Sequence, residues 1–411
     1  MSNRRDINMD NKDNSMSMDD IRDQAGNQNE VEEGVVISDD YIAQLWQYDI
    51  ENPQMGMRDK DELRKIFFNS EFDFNSGSYQ AGELTYLAYY GGRLSNSIYA
   101  EMLQNDNDSK KAEAEEGIEL EKTPQELELQ KQKEELFNVT QNRLAYIHRG
   151  IRDWIKNLDG IYYYKSRFTG YPYIDGKGRV FAFILDEAID KARMVADESA
   201  DFELAYTSNI NKLSETLYLN AADKIIINDG ILPFEAERRN IFPTSLAEAS
   251  PEEDKTADLN RELRYFILSF HQAAQSPVRT EGNEEERKMS LLQLEAQIST
   301  RLLQISAYFT TNRMDASEIS FVMAQDGQGR KAITCFVDKE SKPEDDERFQ
   351  YKSFSLFPIA NSILASQGDP NNQVDGIVIN PGTLNFYMDV NWLKRLVNFS
   401  AYLQEQNKDK E

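Results

Sequence analysis

The spacing of apolar and polar positions divides the chain into a polar start, a helical stretch and two regions in which strands alternate with helices. Residues 1–38 carry few large apolar groups and cannot bury enough surface to offset chain entropy, so we predict a disordered tail there. Over 39–104 the apolar residues recur at spacings of three and four, as on one face of a helix. We predict a helical N-terminal region over 39–104 and a charged linker over 105–123.

A helix start follows the predicted linker. Thr123 can cap the helix, Pro124 suits its first turn, and Glu126 stands where it can complete a capping box. One apolar stripe then continues to Leu158. The sequence therefore predicts a helix from Pro124 to about Leu158.

Two β-rich runs around a glycine-containing turn follow this helix and indicate a hairpin. The turn reads Asp175-Gly-Lys-Gly-Arg179, and the pattern Asp-Gly-x-Gly-Arg returns between Asp326 and Arg330. One shared turn is weak evidence of duplication, because Asp-Gly is common in hairpins. Whether other elements return at a similar distance is the better test.

Four further elements return in the same order. Each of the following pairs lies at a similar offset: the amphipathic helices ending near Leu158 and Tyr308, the strands at 202–207 and 349–354, the helices at 210–222 and 356–367, and the apolar strands before Asn228 and Asn380. The units differ after the first hairpin, where a helix is predicted over 187–198 and a shorter acidic loop over 339–347. This order predicts an internal duplication.

The predicted fold class is α/β, with mixed α+β sheets in two tandem αβ units behind the helical region and the tail. The first unit with its leading helix covers 124–245, a helical connector covers 246–283, and the second unit with its leading helix covers 284–411. The apolar strands lack alternation, which is typical of strands covered on both faces.

The segment from Val374 to Gly382 reads Val-Asp-Gly-Ile-Val-Ile-Asn-Pro-Gly and resembles the N-terminal domain of the SseB family, which is named for enhanced serine sensitivity. The resemblance covers about 319–397, and the first unit looks like a diverged copy with Asp229 in place of the family's proline. It implies an αβ domain that acts as a binding or regulatory module. It brings no enzymatic mechanism that transfers residue by residue.

Composition narrows the possible partners. The formal net charge is −26, with 72 acidic and 46 basic residues, which disfavours nucleic acid and anionic membrane surfaces. One cysteine, Cys335, excludes an internal disulfide, and with two histidines zinc chemistry is not expected. From its first residues we expect no secretory signal, and no apolar run reaches membrane-spanning length. We expect a cytoplasmic protein, and the abundance of Asn, Asp, Lys and Glu suits a bacterium.

Four side chains are binding candidates. Asn228 and Asn380 follow apolar strands, where an αβ sheet can bind ligands, although Asn at this place also commonly caps the chain as it leaves a strand. Arg179 and Arg330 follow glycine and could clamp an anion, or form a local salt bridge. Cys335 shares strand parity with apolar neighbours and is predicted to be a buried small hydrophobe. The sequence nominates no catalytic residue, metal ligand or cofactor.

These observations favour a non-enzymatic protein-binding or regulatory protein with a protein partner. That hypothesis predicts an exposed aromatic patch around Trp46, Tyr86, Tyr89 and Tyr90. Two alternatives stay open: a small-molecule sensor or enzyme with its site between the two units, and a structural component of an assembly. The sequence leaves the oligomeric state undetermined.

Overall fold

The computed structural model describes residues 57–68, 76–116, 123–243, 255–277, 284–312, 320–325, 328–339, 341–344, 348–369 and 374–408. The predicted tail over 1–38 lies outside the described residues. No described helix is both long enough and apolar enough to cross a membrane.

Among the described residues, three α-helices precede the first sheet: α1 (Lys60–Phe68), α2 (Ala81–Glu116) and α3 (Pro124–Ile155). The capping box predicted for α3 is present, because the Thr123 hydroxyl accepts from the backbone N–H of Glu126 and the Glu126 carboxylate accepts from that of Thr123. Helix α2 continues into the segment predicted as a linker. Helices α2 and α3 pack antiparallel, with Glu101 against Lys133 and Ser95 against Gln141.

The predicted exposed aromatic patch is wrong for its three tyrosines. Tyr86, Tyr89 and Tyr90 are 0%, 6% and 3% exposed, and Trp46 lies outside the described residues. The Tyr90 ring centroid lies 6.2 Å from that of Tyr86 and 5.9 Å from that of Phe67 in α1. These rings form the core of the helical region, because α1 and α3 close over the face of α2 that carries them.

The first sheet has five strands. Its elements in chain order are β1 (Ile161–Ser166), β2 (Arg179–Phe183), α4 (Asp186–Glu198), β3 (Phe202–Thr207), α5 (Ile210–Leu219), β4 (Lys224–Ile227), β5 (Phe234–Glu237) and α6 (Arg238–Ile241). The strand order is β3-β1-β2-β4-β5, and only β2 and β4 are parallel. Helices cover both faces: Tyr164 reaches the carbonyl of Ala192 in α4, and its neighbour Tyr163 faces Leu213 and Leu217 of α5.

A second helical hairpin joins the two sheets, formed by α7 (Lys255–Gln275) and α8 (Glu284–Gln304). Arg301 of α8 forms an ion pair with Glu262 of α7, with a nitrogen–oxygen distance of 2.9 Å. Arg287 near the start of α8 donates to the carbonyls of Ala273 and Ala274 near the end of α7. Each sheet is therefore preceded by an antiparallel pair of helices.

The second sheet repeats the topology of the first. Its elements are β6 (Ser306–Asn312), β7 (Met323–Gln325), β8 (Lys331–Phe336), β9 (Phe349–Ser355), α9 (Leu356–Ala365), β10 (Gly376–Ile379), β11 (Phe386–Asp389) and α10 (Val390–Lys408). The order β9-β6-β8-β10-β11 matches β3-β1-β2-β4-β5 strand for strand, again with one parallel pair, and β7 adds to β8. The predicted fold class, two tandem αβ units with mixed sheets, is confirmed.

The helix predicted to continue to Tyr308 is wrong at its end. Helix α8 stops at Gln304, and residues 306–312 form the strand β6. Ile298, Leu302, Ile305 and Phe309 are all buried and keep the spacing of a helix across this boundary. The pattern of the helix and the alternation of the strand, with Ala307 and Phe309 facing inward, coincide there, so periodicity alone could not separate them.

Candidate functional site

Asn228 and Asn380 occupy equivalent turns, directly after β4 and β10. Both are fully buried and both have positive φ, 54° and 47°, a backbone conformation that Asn tolerates better than most residues. The backbone N–H of Asn228 donates to the carbonyl of Ala182 over 2.9 Å, and that of Asn380 to the carbonyl of Cys335 over 2.8 Å. The turn chemistry considered as the alternative to ligand binding is thus present at both positions.

The side-chain oxygens of these asparagines hold the neighbouring strand as it ends. Oδ1 of Asn228 accepts from the backbone N–H groups of Ile184, over 2.8 Å, and Leu185, over 3.3 Å. Oδ1 of Asn380 accepts from the backbone N–H of Val337 over 2.9 Å. Each asparagine therefore satisfies buried backbone donors that have left the β-ladder.

The side-chain nitrogens of the two asparagines differ. Nδ2 of Asn380 donates to the Asp338 carboxylate over 2.8 Å and to the Ser341 hydroxyl over 3.2 Å. Nδ2 of Asn228 is buried and has no hydrogen-bond partner among the described residues. One of the two acceptors is lost by a single replacement, because the position that holds Asp338 in the second unit holds Leu185 in the first.

Arg264 extends the second turn into a buried polar cluster that joins the two units. It lies on α7, is 6% exposed, and its Nε donates to the Asn220 side chain at the end of α5 over 3.0 Å. Its Nη1 donates to Asp338 over 3.0 Å and to Ser341 over 2.8 Å. We name Arg264, Asn220, Asp338, Ser341 and Asn380 the Arg264 cluster. Its buried ion pair between Arg264 and Asp338 connects the exit of β8 to the first unit.

Sequence reasoning missed the Arg264 cluster. Arg264 lies on the buried face of α7, beside Leu263, Ile267 and Leu268. A basic residue inside the apolar stripe of a predicted helix was the available signal, since such a residue is seldom buried without a partner. Its partner Asp338 is distant in sequence and could not be inferred from local pattern.

Helix α7 fills the space between the two units with its own side chains. On the side of the first unit, Oε1 of Gln272 accepts from the backbone N–H of Ile174 over 3.1 Å. The Arg261 guanidinium lies 3.9 Å from the Tyr218 ring centroid. On the side of the second unit, the His271 ring packs edge-on against Phe386 at 5.6 Å. Helix α7 therefore lies beside the start of β4 in the first unit and beside the exit of β10 in the second.

The two arginines predicted as anion clamps are engaged and do not occupy equivalent positions. Arg179 donates to one Asp175 oxygen from Nε and Nη2 over 2.9 and 2.7 Å, and this hydrogen bonding raises the pKa of Arg179. Arg330 is exposed, with its guanidinium 4.8 Å from the Tyr387 ring centroid. Lys224 and Gly376 begin the equivalent strands β4 and β10. Lys224 pairs with Arg179, whereas Gly376 pairs with Ala332, which lies two residues beyond Arg330.

The four candidate residues do not form one site. Arg179 begins β2, while Asn228 follows the end of β4, and the two strands are parallel. The arginine and the asparagine therefore lie at opposite ends of the sheet. The same separation holds in the second unit for Arg330 and Asn380.

Burial favours the neutral forms of Cys335, His148 and His271. Burial raises the pKa of the fully buried Cys335 thiol, which suits the predicted small hydrophobe rather than a nucleophile. Burial lowers the pKa of His148 to about 4, and it also lowers the pKa of His271. A cavity between the first sheet and α5, lined by Tyr163, Val180 and Leu213 among others, measures about 10 Å³, room for roughly one water.

We compared the chain with known protein families, curated proteins and solved structures. No protein-family model, curated protein or solved structure matches the chain. The resemblance of the second unit to the SseB family stays a prediction that rests on the quoted residues.

Proposed function

We propose that this chain is a non-enzymatic protein-binding protein, with two SseB-like αβ units that act as a scaffold and the helical hairpin α2–α3 as the binding element. The protein would act in the cytoplasm, as the sequence predicts. Its net charge of −26 favours a protein over nucleic acid as the partner.

The observation that carries the proposal is where large apolar side chains reach solvent. Of the twelve such side chains among the described residues, five lie on α2 and α3: Tyr99, Leu103, Leu127, Leu129 and Tyr146. Soluble proteins seldom expose a large contiguous apolar patch unless that patch meets a partner. Tyr206 of β3 and Met323 of β7 are exposed on the sheets, but among the described residues no other helical pair or sheet exposes as many large apolar side chains as α2–α3.

A ligand site between the units has less support. Such a site requires a concave pocket with convergent polar groups. The side-chain oxygens of Asn228 and Asn380 instead accept hydrogen bonds from backbone N–H groups of their own units. The polar residues that do converge between the units, in the Arg264 cluster, bond to each other. We therefore favour scaffold and binding roles.

The test is partner capture with surface variants of the full chain. The immobilised wild-type chain, a Leu127→Gln/Leu129→Gln variant and a Met194→Ser/Val195→Ser control are exposed to a lysate of the native cells. Met194 and Val195 are also exposed, by 68% and 45%, but lie on α4. We expect proteins whose recovery falls with the α3 variant and not with the control. Equal recovery by all three chains would contradict the proposal.

A further inference from the structure

Three aromatic and aliphatic side chains form a continuous apolar surface across the α2–α3 hairpin. Tyr99 and Leu103 are 51% and 46% exposed, and they lie one turn apart on the same side of α2. The Tyr99 ring centroid lies 6.0 Å from that of Phe137, a partly buried residue of α3. We name these three residues the Tyr99 surface; it runs along the hairpin and crosses from one helix to the other.

The described turns beside this surface are acidic. Positions 101–104 of α2 and 124–137 of α3 carry five Glu residues against two Lys. Next to the surface, Lys133 is already paired with Glu101 over 2.9 Å, while Glu128 on α3 stands exposed. Whatever covers the Tyr99 surface must therefore be compatible with a negative surrounding.

Charge and shape together select one occupant. A second copy of the chain would bring the same acidic hairpin and a further net charge of −26, and an anionic membrane would be repelled for the same reason. A helix with an apolar stripe fits a surface whose side chains follow helical spacing. Resting on the proposed function, we infer that the Tyr99 surface binds a cationic amphipathic helix of the partner protein.

The experiment uses the full chain and a synthetic probe. The probe is a fluorescent Leu/Lys peptide of about 18 residues, long enough to form a helix, with Leu on one helical face. A second peptide of equal composition alternates Leu and Lys, and a third replaces Lys with Glu. Binding is measured by fluorescence anisotropy to wild type, to Tyr99→Ser/Leu103→Ser, and to the Met194→Ser/Val195→Ser control. Circular dichroism checks that the variants fold.

We expect the helical Leu/Lys peptide to bind wild type and the α4 control with equal affinity. Its affinity for the Tyr99→Ser/Leu103→Ser variant should be at least about tenfold lower, since a modest loss of apolar contact suffices for a tenfold change in affinity. The alternating and Glu peptides should bind more weakly than the helical Lys peptide. Equal affinity for the two variants, or equally tight binding of the alternating peptide, would overturn the inference.

Two other outcomes would assign the surface to a different occupant and also overturn the inference. One is a dimer in sedimentation equilibrium that Tyr99→Ser/Leu103→Ser abolishes. The other is wild-type binding to phosphatidylglycerol vesicles that the same variant loses. If the peptides fail while the lysate experiment still captures a protein through α2–α3, only the chemistry of the partner is wrong. If both fail, the proposed function falls with it.

Discussion

The exits of β4 and β10 have the same backbone and different electrostatics. In both units an asparagine with positive φ caps the end of the neighbouring strand through its Oδ1. In the second unit Asp338 accepts from the asparagine Nδ2 and pairs with Arg264; in the first, Leu185 leaves Nδ2 without a partner. The fold requires the hydrogen bonds to Oδ1 that both turns share. The additional ion pair between Asp338 and Arg264 connects the second unit to α7.

The largest expected effect comes from making the second exit resemble the first. Asp338→Leu leaves the buried Arg264 guanidinium without its carboxylate. Loss of one partner of a buried ion pair costs about 4 kcal/mol in unfolding free energy. Denaturant unfolding followed by fluorescence measures it.

Two controls sharpen this prediction. Asp190→Leu removes an exposed ion pair of similar length, 2.9 Å to Arg193, and we expect a loss below about 1 kcal/mol. Arg264→Met combined with Asp338→Leu removes both charges, and it should recover most of the stability that the single change loses. If Asp338→Leu costs no more than Asp190→Leu, Arg264 does not fasten the units together.

The asparagines themselves give the next effect. Asn380→Ala removes the acceptor for the Val337 N–H and the donor to Asp338, and it puts alanine at a positive φ. We expect a loss of about 3 kcal/mol in unfolding free energy. Asn228→Ala removes an equivalent acceptor but no Nδ2 hydrogen bond, so its loss should be about 2 kcal/mol.

The difference between the two asparagine variants is the informative quantity. It should shrink when both are made in an Asp338→Leu background, since Nδ2 of Asn380 then keeps only the Ser341 hydroxyl as an acceptor. Double-mutant cycles on thermal or denaturant midpoints measure this coupling. A larger loss for Asn228→Ala than for Asn380→Ala would contradict the role assigned to Asp338.

Local features were the ones that sequence could predict. The capping box of Thr123 and Glu126 needs only residues three apart, and the αβ order follows from periodicities within each element. The Asn228 and Asn380 turns were found because each follows an apolar strand. Features that depend on distant contacts were missed or misjudged: Arg264 needs Asp338 across the chain, and Tyr86, Tyr89 and Tyr90 are buried only because α1 and α3 close over α2. The prediction of a helix up to Tyr308 failed for a different reason, since the helical spacing and the strand alternation coincide at Phe309.

The two histidines extend the comparison to a helix that packs against each sheet. His148 of α3 stacks on Phe234 at 5.7 Å, and His271 of α7 packs edge-on against Phe386 at 5.6 Å. The two phenylalanines are equivalent, because each begins the strand after its asparagine turn. Helices at both sheets thus place an imidazole beside the same aromatic position.

Protonation of His148 gives the third effect on the unfolding free energy, after those of Asp338 and of the two asparagines. It is the one that depends on pH. Burial lowers its pKa from 6.5 to about 4, so the unfolded chain takes up a proton at a pH where the folded protein does not. The contribution of neutral His148 is present in full above pH 6.5 and is lost as the pH falls toward 4. Between pH 7 and pH 5 the unfolding free energy should decrease by roughly 2 kcal/mol through this group alone.

Isolating that loss requires a variant without the imidazole, because carboxylates begin to titrate in the same range. His148→Phe keeps a ring against Phe234 and should show a flatter dependence of the denaturation midpoint on pH between 7 and 5. His271→Phe should flatten it in the same direction, because burial lowers that pKa as well. Identical pH profiles for wild type and His148→Phe would mean that the α3 imidazole titrates as it does in water. The packing of α3 on β5 would then be looser than that of α7 on β11, and the comparison of the two units would end at their strand exits.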